Sequence, residues 1–229
     1  MIAAVERCSF VDYPGRLAAV AFTQGCNLRC RYCHNPELCE RKSTNPQVTE
    51  DFLRLLSRRR GLLSGVVVCG GEPTLHDELP ALLRKLRAME FAIKVDSNGL
   101  HPDRMRILVQ QGLIDYLAVD IKAVPGERSH WLCGHARQAE LAVCTLADAA
   151  RMGVACEART VLVRGVHDVE DLSWIADRLA QNGVKRWRLR DVQAGKVLDP
   201  SVPLSPPEEA VSAHALALAD RLSLDVQAF

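Results

Sequence analysis

Short β-branched and apolar runs alternate along the chain with stretches whose apolar residues recur every three or four positions. Leu17 to Phe22, Val66 to Cys69, Ala92 to Asp96, Tyr116 to Ile121, Ala155 to Val163 and Arg186 to Val192 have the length and composition of strands. Between them, Glu50 to Arg60, Glu78 to Met89, Pro102 to Gln111, Gln138 to Met152 and Val169 to Gln181 read as helices. Gly61, Gly112, Gly153 and the pair Asn182-Gly183 stand where helix C-termini favour a left-handed residue. A sixth helix, Pro207 to Leu222, opens on the doublet Pro206-Pro207, whose missing N–H groups suit a first helical turn. The tail, Leu224 to Phe229, is a candidate last strand.

Repeated strand–helix alternation predicts an α/β fold built on a parallel sheet, either open and doubly wound or curled into a partial barrel. Periodicity alone does not choose between these. No repeat, low-complexity segment or linker interrupts the 229 residues, so residues 1–229 are expected to form one domain. Its core spans about 17–200 and a C-terminal helix and tail occupy 206–229, with the Pro-rich stretch Asp199 to Pro207 as the connection.

Composition narrows the function. A hydrophobic fraction of 48% with 25% charged residues is ordinary for a globular chain, and no apolar run approaches the roughly 20 residues that span a bilayer. A net charge of +1 supplies no global attraction to nucleic acid or acidic membranes. The N-terminus MIAAVERCSFVDYPG has no basic leader followed by an apolar segment, so the expected location is the cytoplasm. There, nine cysteines read as metal ligands, reactive groups or small core residues rather than disulfides.

Directly after the first strand comes Gly25-Cys26-Asn27-Leu28-Arg29-Cys30-Arg31-Tyr32-Cys33-His34-Asn35, a C-x3-C-x2-C loop. Three thiolates in a compact loop can hold three irons of a 4Fe-4S cubane and leave the fourth iron to a chelating ligand. A zinc site is the plainer alternative, but His34 adjoins Cys33 too closely for both to face one ion, and no second CxxC pair occurs. Cys8, Cys39, Cys69, Cys133, Cys144 and Cys156 stand apart, several of them in apolar stretches where free cysteine behaves as a small hydrophobe, a second cluster built from some of them being the other reading.

Polar, turn-forming segments follow successive strands: Gly70-Gly71-Glu72-Pro73, Asp96-Ser97-Asn98-Gly99 and Asp120-Ile121-Lys122. Functional groups of parallel α/β folds collect at the carboxyl ends of strands, so these segments should converge with the cysteine loop. Gly70 and Gly71 would let backbone approach a ligand, Glu72 could accept from an ammonium, Ser97 or Asp120 could bind hydroxyl or other polar groups of a ligand, and Lys122 could meet a carboxylate. On the sixth strand Arg186, Arg188 and Arg190 share one face, toward either a cavity or solvent. Arg58, Arg59 and Arg60 end a helix and suit its dipole.

Cys26, Cys30 and Cys33, with aromatic Tyr32 before the last of them, resemble the signature loop of the radical S-adenosylmethionine superfamily. That resemblance implies a partial (β/α)6 TIM-like barrel, one 4Fe-4S cluster held by Cys26, Cys30 and Cys33, and S-adenosyl-L-methionine chelated at the open iron. One electron then releases a 5′-deoxyadenosyl radical that takes hydrogen from a substrate. It places Tyr32 near the adenine, a ring that merely packs the loop being the other reading. Gly70-Gly71-Glu72 is similar to the superfamily's amino-group motif, and the segments after the third and fourth strands resemble those of glycyl-radical activating enzymes. Those relatives hold a monovalent cation beside the methionyl carboxylate, which makes Asp96, Ser97 and Asp120 its implied ligands. Arg159 matches an arginine that contacts the cofactor, against an ordinary ion pair, while Arg164 departs from the pattern by replacing a proline.

The turn Asp12-Tyr13-Pro14-Gly15 with the later Cys33-His34-Asn35-Pro36 resembles the longer anaerobic ribonucleoside-triphosphate reductase activating proteins. The likeness implies a glycyl-radical enzyme as partner, anaerobic ribonucleotide reductase first, and a ferredoxin or flavodoxin as electron donor, with no nucleic acid and no membrane involved. Pyruvate formate-lyase activating enzymes have a similar turn with glycine in the tyrosine position, whose aspartate contacts the substrate peptide; that resemblance implies the same contact for Asp12, against a plain turn residue. No side chain is needed as a general acid or base, because the cofactors break the bond. A radical enzyme acting on a small molecule, as in deazapurine synthesis, and a non-enzymatic metal-binding or electron-transfer module are the alternatives.

Overall fold

A computed structural model describes residues 1–40, 42–206, 208–222 and 225–228. Eight strands form one sheet in strictly sequential order: β1 (Ile2–Ser9), β2 (Ala18–Thr23), β3 (Gly65–Gly70), β4 (Ala92–Ser97), β5 (Tyr116–Asp120), β6 (Ala155–Leu162), β7 (Arg186–Asp191) and β8 (Asp225–Ala228). β1 runs antiparallel to β2, and each later strand is parallel to its neighbour. Doubly wound sheets reverse their strand order partway; this one never does, so right-handed crossovers put the helices on one face and the sheet curls into an open barrel.

The helices are α1 (Pro46–Arg58), α2 (Leu79–Ala88), α3 (Pro102–Gln110), α4 (Glu127–Cys133), α5 (Gln138–Arg151), α6 (Val169–Gln181) and α7 (Glu209–Leu222). Local chemistry sets several of their starts. Asn45 accepts from the Gln47 N–H at 3.0 Å ahead of Pro46, and Asp168 with Asp171 forms a reciprocal capping box at α6. Among the described residues, no helix is long and apolar enough to cross a membrane.

The six expected strands are β2 to β7, and the tail strand is β8, parallel to β7. Pro207, Leu224 and Phe229, which bounded the expected last helix and tail, lie outside the described residues. Two elements went unread. β1 is a bulged edge strand whose pattern of burial does not alternate cleanly, and α4 is a short helix between Gly126 (φ +124) and left-handed Gly134.

The central strands β2 to β5 bury both faces. Outward residues such as Val66, Val68, Ile93, Val95, Leu117, Val119 and Trp187 pack against the helices. The inward face begins with an apolar plug of Tyr13, Ala18, Val20, Val67 and Tyr116, the two tyrosine rings standing 5.9 Å apart. Above it the inward positions become charged.

The carboxyl end of β3 is tied to the neck of the cysteine loop by close backbone contact. Gly71 N–H donates to Thr23 O at 2.9 Å and Glu72 N–H to Gly25 O at 2.8 Å. A Cβ on Gly71 would lie 2.1 Å from the Gly25 carbonyl oxygen. The glycine pair therefore admits the loop's own backbone, where the sequence had suggested room for a ligand. Gly71→Ala should lower stability by about 3 kcal/mol through overpacking. Gly153→Ala, at φ +76 with open space around it, should cost only about 1–2 kcal/mol of stability, through backbone strain alone. Urea midpoints of the two variants check the order.

Candidate functional site

The cysteine loop leaves β2 and folds over the carboxyl ends of β3 to β6. Glu72, from the end of β3, is fully buried. Its Oε1 accepts from Thr74 N–H (3.0 Å), Thr74 Oγ1 (2.6 Å) and Ser97 Oγ (2.9 Å), and its Oε2 from Asn98 N–H (2.7 Å). This carboxylate accepts four hydrogen bonds from protein donors and fastens the end of β3 to that of β4. Ser97 Oγ donates to Glu72 and accepts from Gly99 N–H at 3.0 Å, so its hydroxyl is committed as well.

From Thr74 a polar chain reaches the cysteines. Thr74 Oγ1 gives its only proton to Glu72, so it accepts from His101 Nδ1–H at 2.9 Å. His101 Nε2 then accepts from Asn27 Nδ2 at 3.4 Å, Asn27 Oδ1 accepts from Asn98 Nδ2 at 2.7 Å, and the same amide lies 3.9 Å from Cys26 Sγ. Gln138, fully buried at the start of α5, donates to Asn98 O (2.7 Å) and Asp120 O (2.6 Å) and accepts from Lys122 N–H (2.9 Å). Thr74, His101 and Gln138 carried no sequence signal, because each looks like an ordinary turn or helix-end residue.

Across β4 to β6 runs a row of alternating charge. Lys94 Nζ meets Asp96 Oδ1 at 2.5 Å, Arg159 bridges Asp96 (2.6 Å) and Asp120 (2.8 Å), and Lys122 Nζ meets the other Asp120 oxygen at 2.8 Å. Burial by itself would raise both carboxylates, but Arg159 with Lys94, and Arg159 with Lys122, outweigh it and hold Asp96 and Asp120 below the usual aspartate range. Burial works against the Lys122 ammonium, and the Asp120 carboxylate beside it more than offsets that, holding it well above the usual lysine range. The expected cation site at Asp96, Ser97 and Asp120 gains no support: the two carboxylates pair with three side-chain cations, and the hydroxyl is turned to Glu72. A charged residue inside an apolar strand, Lys94 between Ile93 and Val95, was the signal for this row.

Arg186, Arg188 and Arg190 share the concave face of β7, as alternation required, since Trp187 packs outward. Arg188 lies 3.5 Å from Glu157, which also accepts from Tyr116 Oη at 2.9 Å. Arg58 closes α1, in the helix-end role expected of it.

The three loop thiols lie close enough to feel one another's charge and that of Lys122. Among the described residues, no three His, Cys, Asp or Glu side chains converge on a single-ion position. Leu28 N–H points to Cys26 Sγ at 3.4 Å. Burial pushes the free Cys30 thiol up to about 12, so a bound metal, not neutral pH, must draw off its proton. A hydrogen bond from Cys39 brings Cys33 down to about 6 against the effect of burial. Tyr32 is buried among Leu28, Cys30, Leu132, Val163 and Val192, with Lys122 Nζ 5.6 Å from its ring centre and no partner for its hydroxyl. The ring packs the loop, as one of the two readings held, and the orphaned Oη leaves a hydrogen bond for a ligand. These donors and thiols fit a cluster with a chelating cofactor.

Asp12 lies elsewhere. Because β1 is antiparallel to β2, with Ser9 opposite Ala18, its turn sits at the other end of β2 from the cysteine loop. The carboxylate accepts from Ser9 Oγ at 2.5 Å. Cys69, on the concave face, is raised first by burial and then by Asp96.

Arg159→Leu leaves Asp96 and Asp120 with one cation each and should destabilise the fold by roughly 3 kcal/mol, as breaking a buried pair does. Because the folded carboxylates titrate below their unfolded value, their stabilisation is fully present above about pH 4 and is lost as pH falls through the folded values. Urea denaturation between neutral and acid pH should show that acid loss in the parent chain and a shallower one in Arg159→Leu.

Comparison with known proteins accords with this geometry. The Radical SAM superfamily profile matches residues 20–179. A Methanocaldococcus jannaschii protein named as a glycyl-radical enzyme activating enzyme is 31% identical over 183 residues, covering 77% of this chain and 74% of its own. The pyruvate formate-lyase-activating enzyme of Streptococcus mutans is 29% identical over 187 residues, covering 75% and 68%. Among solved structures, a radical SAM methyltransferase from Sphaerobacter thermophilus superposes with a TM-score of 0.75 at 20% identity over 97% of this chain and 68% of its own. Streptococcus suis SuiB bound to S-adenosylmethionine gives 0.73 at 15% identity, and this chain spans 48% of its length. The chain thus belongs to the radical SAM superfamily, with the glycyl-radical activating enzymes, a family that works with a 4Fe-4S cluster and S-adenosylmethionine.

Proposed function

We propose that this protein takes a hydrogen atom from a backbone glycine Cα of a partner glycyl-radical enzyme, and that the partner is an anaerobic ribonucleoside-triphosphate reductase. The reading rests on one observation above all: three thiols and a self-neutralised charged row face the interior of a barrel whose sheet is open between β1 and β8. An open side admits a loop of polypeptide.

In this reading Cys26, Cys30 and Cys33 hold the cluster, and the unpartnered Tyr32 Oη faces the cofactor. When bound, the cluster and S-adenosylmethionine supply one electron and a 5′-deoxyadenosyl radical. The chain's residues position and shield. Glu72 fixes the ends of β3 and β4, the row from Lys94 to Lys122 holds β4, β5 and β6 together, and Lys122 balances the negative charge of the thiolates. Arg159 and Lys122 act on the cofactor chiefly through the carboxylates they pair with. The Asp12 turn flanks the open side and meets the incoming peptide. Residues 1–229 act as one domain in the cytoplasm, and a ferredoxin or flavodoxin delivers the electron.

A small-molecule substrate would need polar groups in the interior. They exist on β4 to β7, but Lys94, Asp96, Asp120, Lys122 and Arg159 are paired with one another, and Arg188 with Glu157. That pairing supports a peptide over a small polar molecule.

The test is an anaerobic assay of the reconstituted, reduced protein with S-adenosylmethionine and the candidate reductase. 5′-Deoxyadenosine is followed by chromatography and the glycyl radical by electron paramagnetic resonance. Cys30→Ala should abolish both. Asp12→Asn should keep 5′-deoxyadenosine formation while lowering the glycyl radical yield about tenfold, the loss of one charge-assisted contact. Cofactor cleavage with no radical on the reductase would overturn the choice of partner.

A further inference from the structure

Six cysteines lie outside the three-thiol loop, and one of them is folded back onto it. After Cys33 the 3-10 turn Pro36–Leu38 reverses the chain, with Leu38 N–H donating to Asn35 O (3.0 Å) and Cys39 N–H to Pro36 O (3.1 Å). The reversed backbone docks on the neck of the loop: Gly25 N–H donates to Leu38 O at 2.7 Å and Cys26 N–H to Cys39 O at 3.1 Å. Gln24 Nε2 clamps the turn from the other side, through Glu37 O at 2.8 Å and Glu40 O at 2.7 Å. Cys39 is thereby held at both ends of the loop, by its carbonyl at Cys26 and by its side chain at Cys33. The residue is 5% exposed and its Sγ lies 3.7 Å from Cys33 Sγ. The competing acceptor, Asn35 O, is at 4.0 Å.

Chemistry sets the direction of that contact. A ligating Cys33 has no proton, so of the two sulfurs only Cys39 has an S–H to give, and a hydrogen bond to an anionic acceptor is about twice as strong as a neutral one. Thiolates on separate irons of a cubane point away from one another, whereas these two sulfurs touch, which makes Cys39 a donor to a ligand rather than a fourth ligand. Hydrogen bonds to ligating sulfurs are among the determinants of cluster potential. They withdraw charge and favour the state that carries one more electron.

We propose that Cys39 is a positioning residue that donates an S–H···S hydrogen bond to the Cys33 thiolate and raises the reduction potential of the cluster. The proposal rests on the reading of Cys33 as a cluster ligand. On reduction the cluster gains one electron, the Cys39 proton stays on its sulfur, and the bond shortens. An easier reduction is what a radical enzyme fed by a low-potential donor needs.

The experiment is a redox titration of the reconstituted holoenzyme, without S-adenosylmethionine, followed by electron paramagnetic resonance and paired with iron analysis. Cys39→Ala should retain the full iron content of the parent, while its equilibrium constant for one-electron reduction falls about tenfold, a downward shift of about 59 mV. Cys39→Val, which restores volume without a donor, should shift likewise and so separates the hydrogen bond from a cavity effect. Cys39→Ser keeps a donor and should stay within about threefold of the parent, or roughly half that shift. Parent-like potentials in both Cys39→Ala and Cys39→Val would overturn the proposal, as would the loss of one iron in four, which would make Cys39 a ligand. Cys33→Ala tests the underlying assignment separately: a complete cluster in that variant would refute Cys33 as a ligand, whatever the Cys39 variants do.

Discussion

The site depends on one buried carboxylate. An ionised glutamate withdrawn from water costs several kcal/mol unless its oxygens are fully hydrogen-bonded, and Glu72 meets that demand with two backbone N–H groups and two hydroxyls. Those donors come from the turn after β3 and from the end of β4, so satisfying the charge fixes both segments at once. Asn98 is held by its backbone to Glu72, by its carbonyl to Gln138 and by its amide to Asn27, and through that amide the arrangement reaches Cys26. The close contact of Gly71 with Gly25 sets the height of the cysteine loop over the sheet.

The interior of an open barrel must be filled, and this chain fills its upper half with charge. Alternating signs from Lys94 to Lys122 let each ion balance its neighbours, which is how a row of partly buried charges is tolerated in a low-dielectric space. The row crosses β4, β5 and β6, so it also ties these central strands of the sheet to one another. Such an interior is rigid and polar without being reactive, a suitable wall for chemistry supplied by cofactors.

The loop thiols have unequal surroundings. Cys26 receives a backbone N–H and lies near the Asn98 amide, Cys33 receives the Cys39 thiol, and Cys30 is wrapped in apolar side chains with Tyr32. A cluster seated there meets hydrogen bonds on two sides and hydrocarbon on the third. Such differences bear on both potential and solvent access.

What the amino-acid order determined by itself was whatever depends on local spacing. Strand–helix alternation was legible because the apolar periods of β2 to β7 and their helices are set by neighbouring residues, and the C-x3-C-x2-C spacing announced its chemistry for the same reason. β1 and α4 were not legible: a bulged edge strand with mixed polarity and a helix of seven residues carry too little periodicity. Only the tertiary structure decided which polar groups meet. It gave Glu72 to Thr74, Ser97 and Asn98, gave Asp96 and Asp120 to Arg159, put the Asp12 turn at the far end of β2, and brought Cys39 against Cys33. Motif spacing says that a carboxylate or thiol stands at the end of a strand. Its partner arrives from another strand or a folded-back turn, and that pairing is settled by register and chain reversal, which local sequence does not encode.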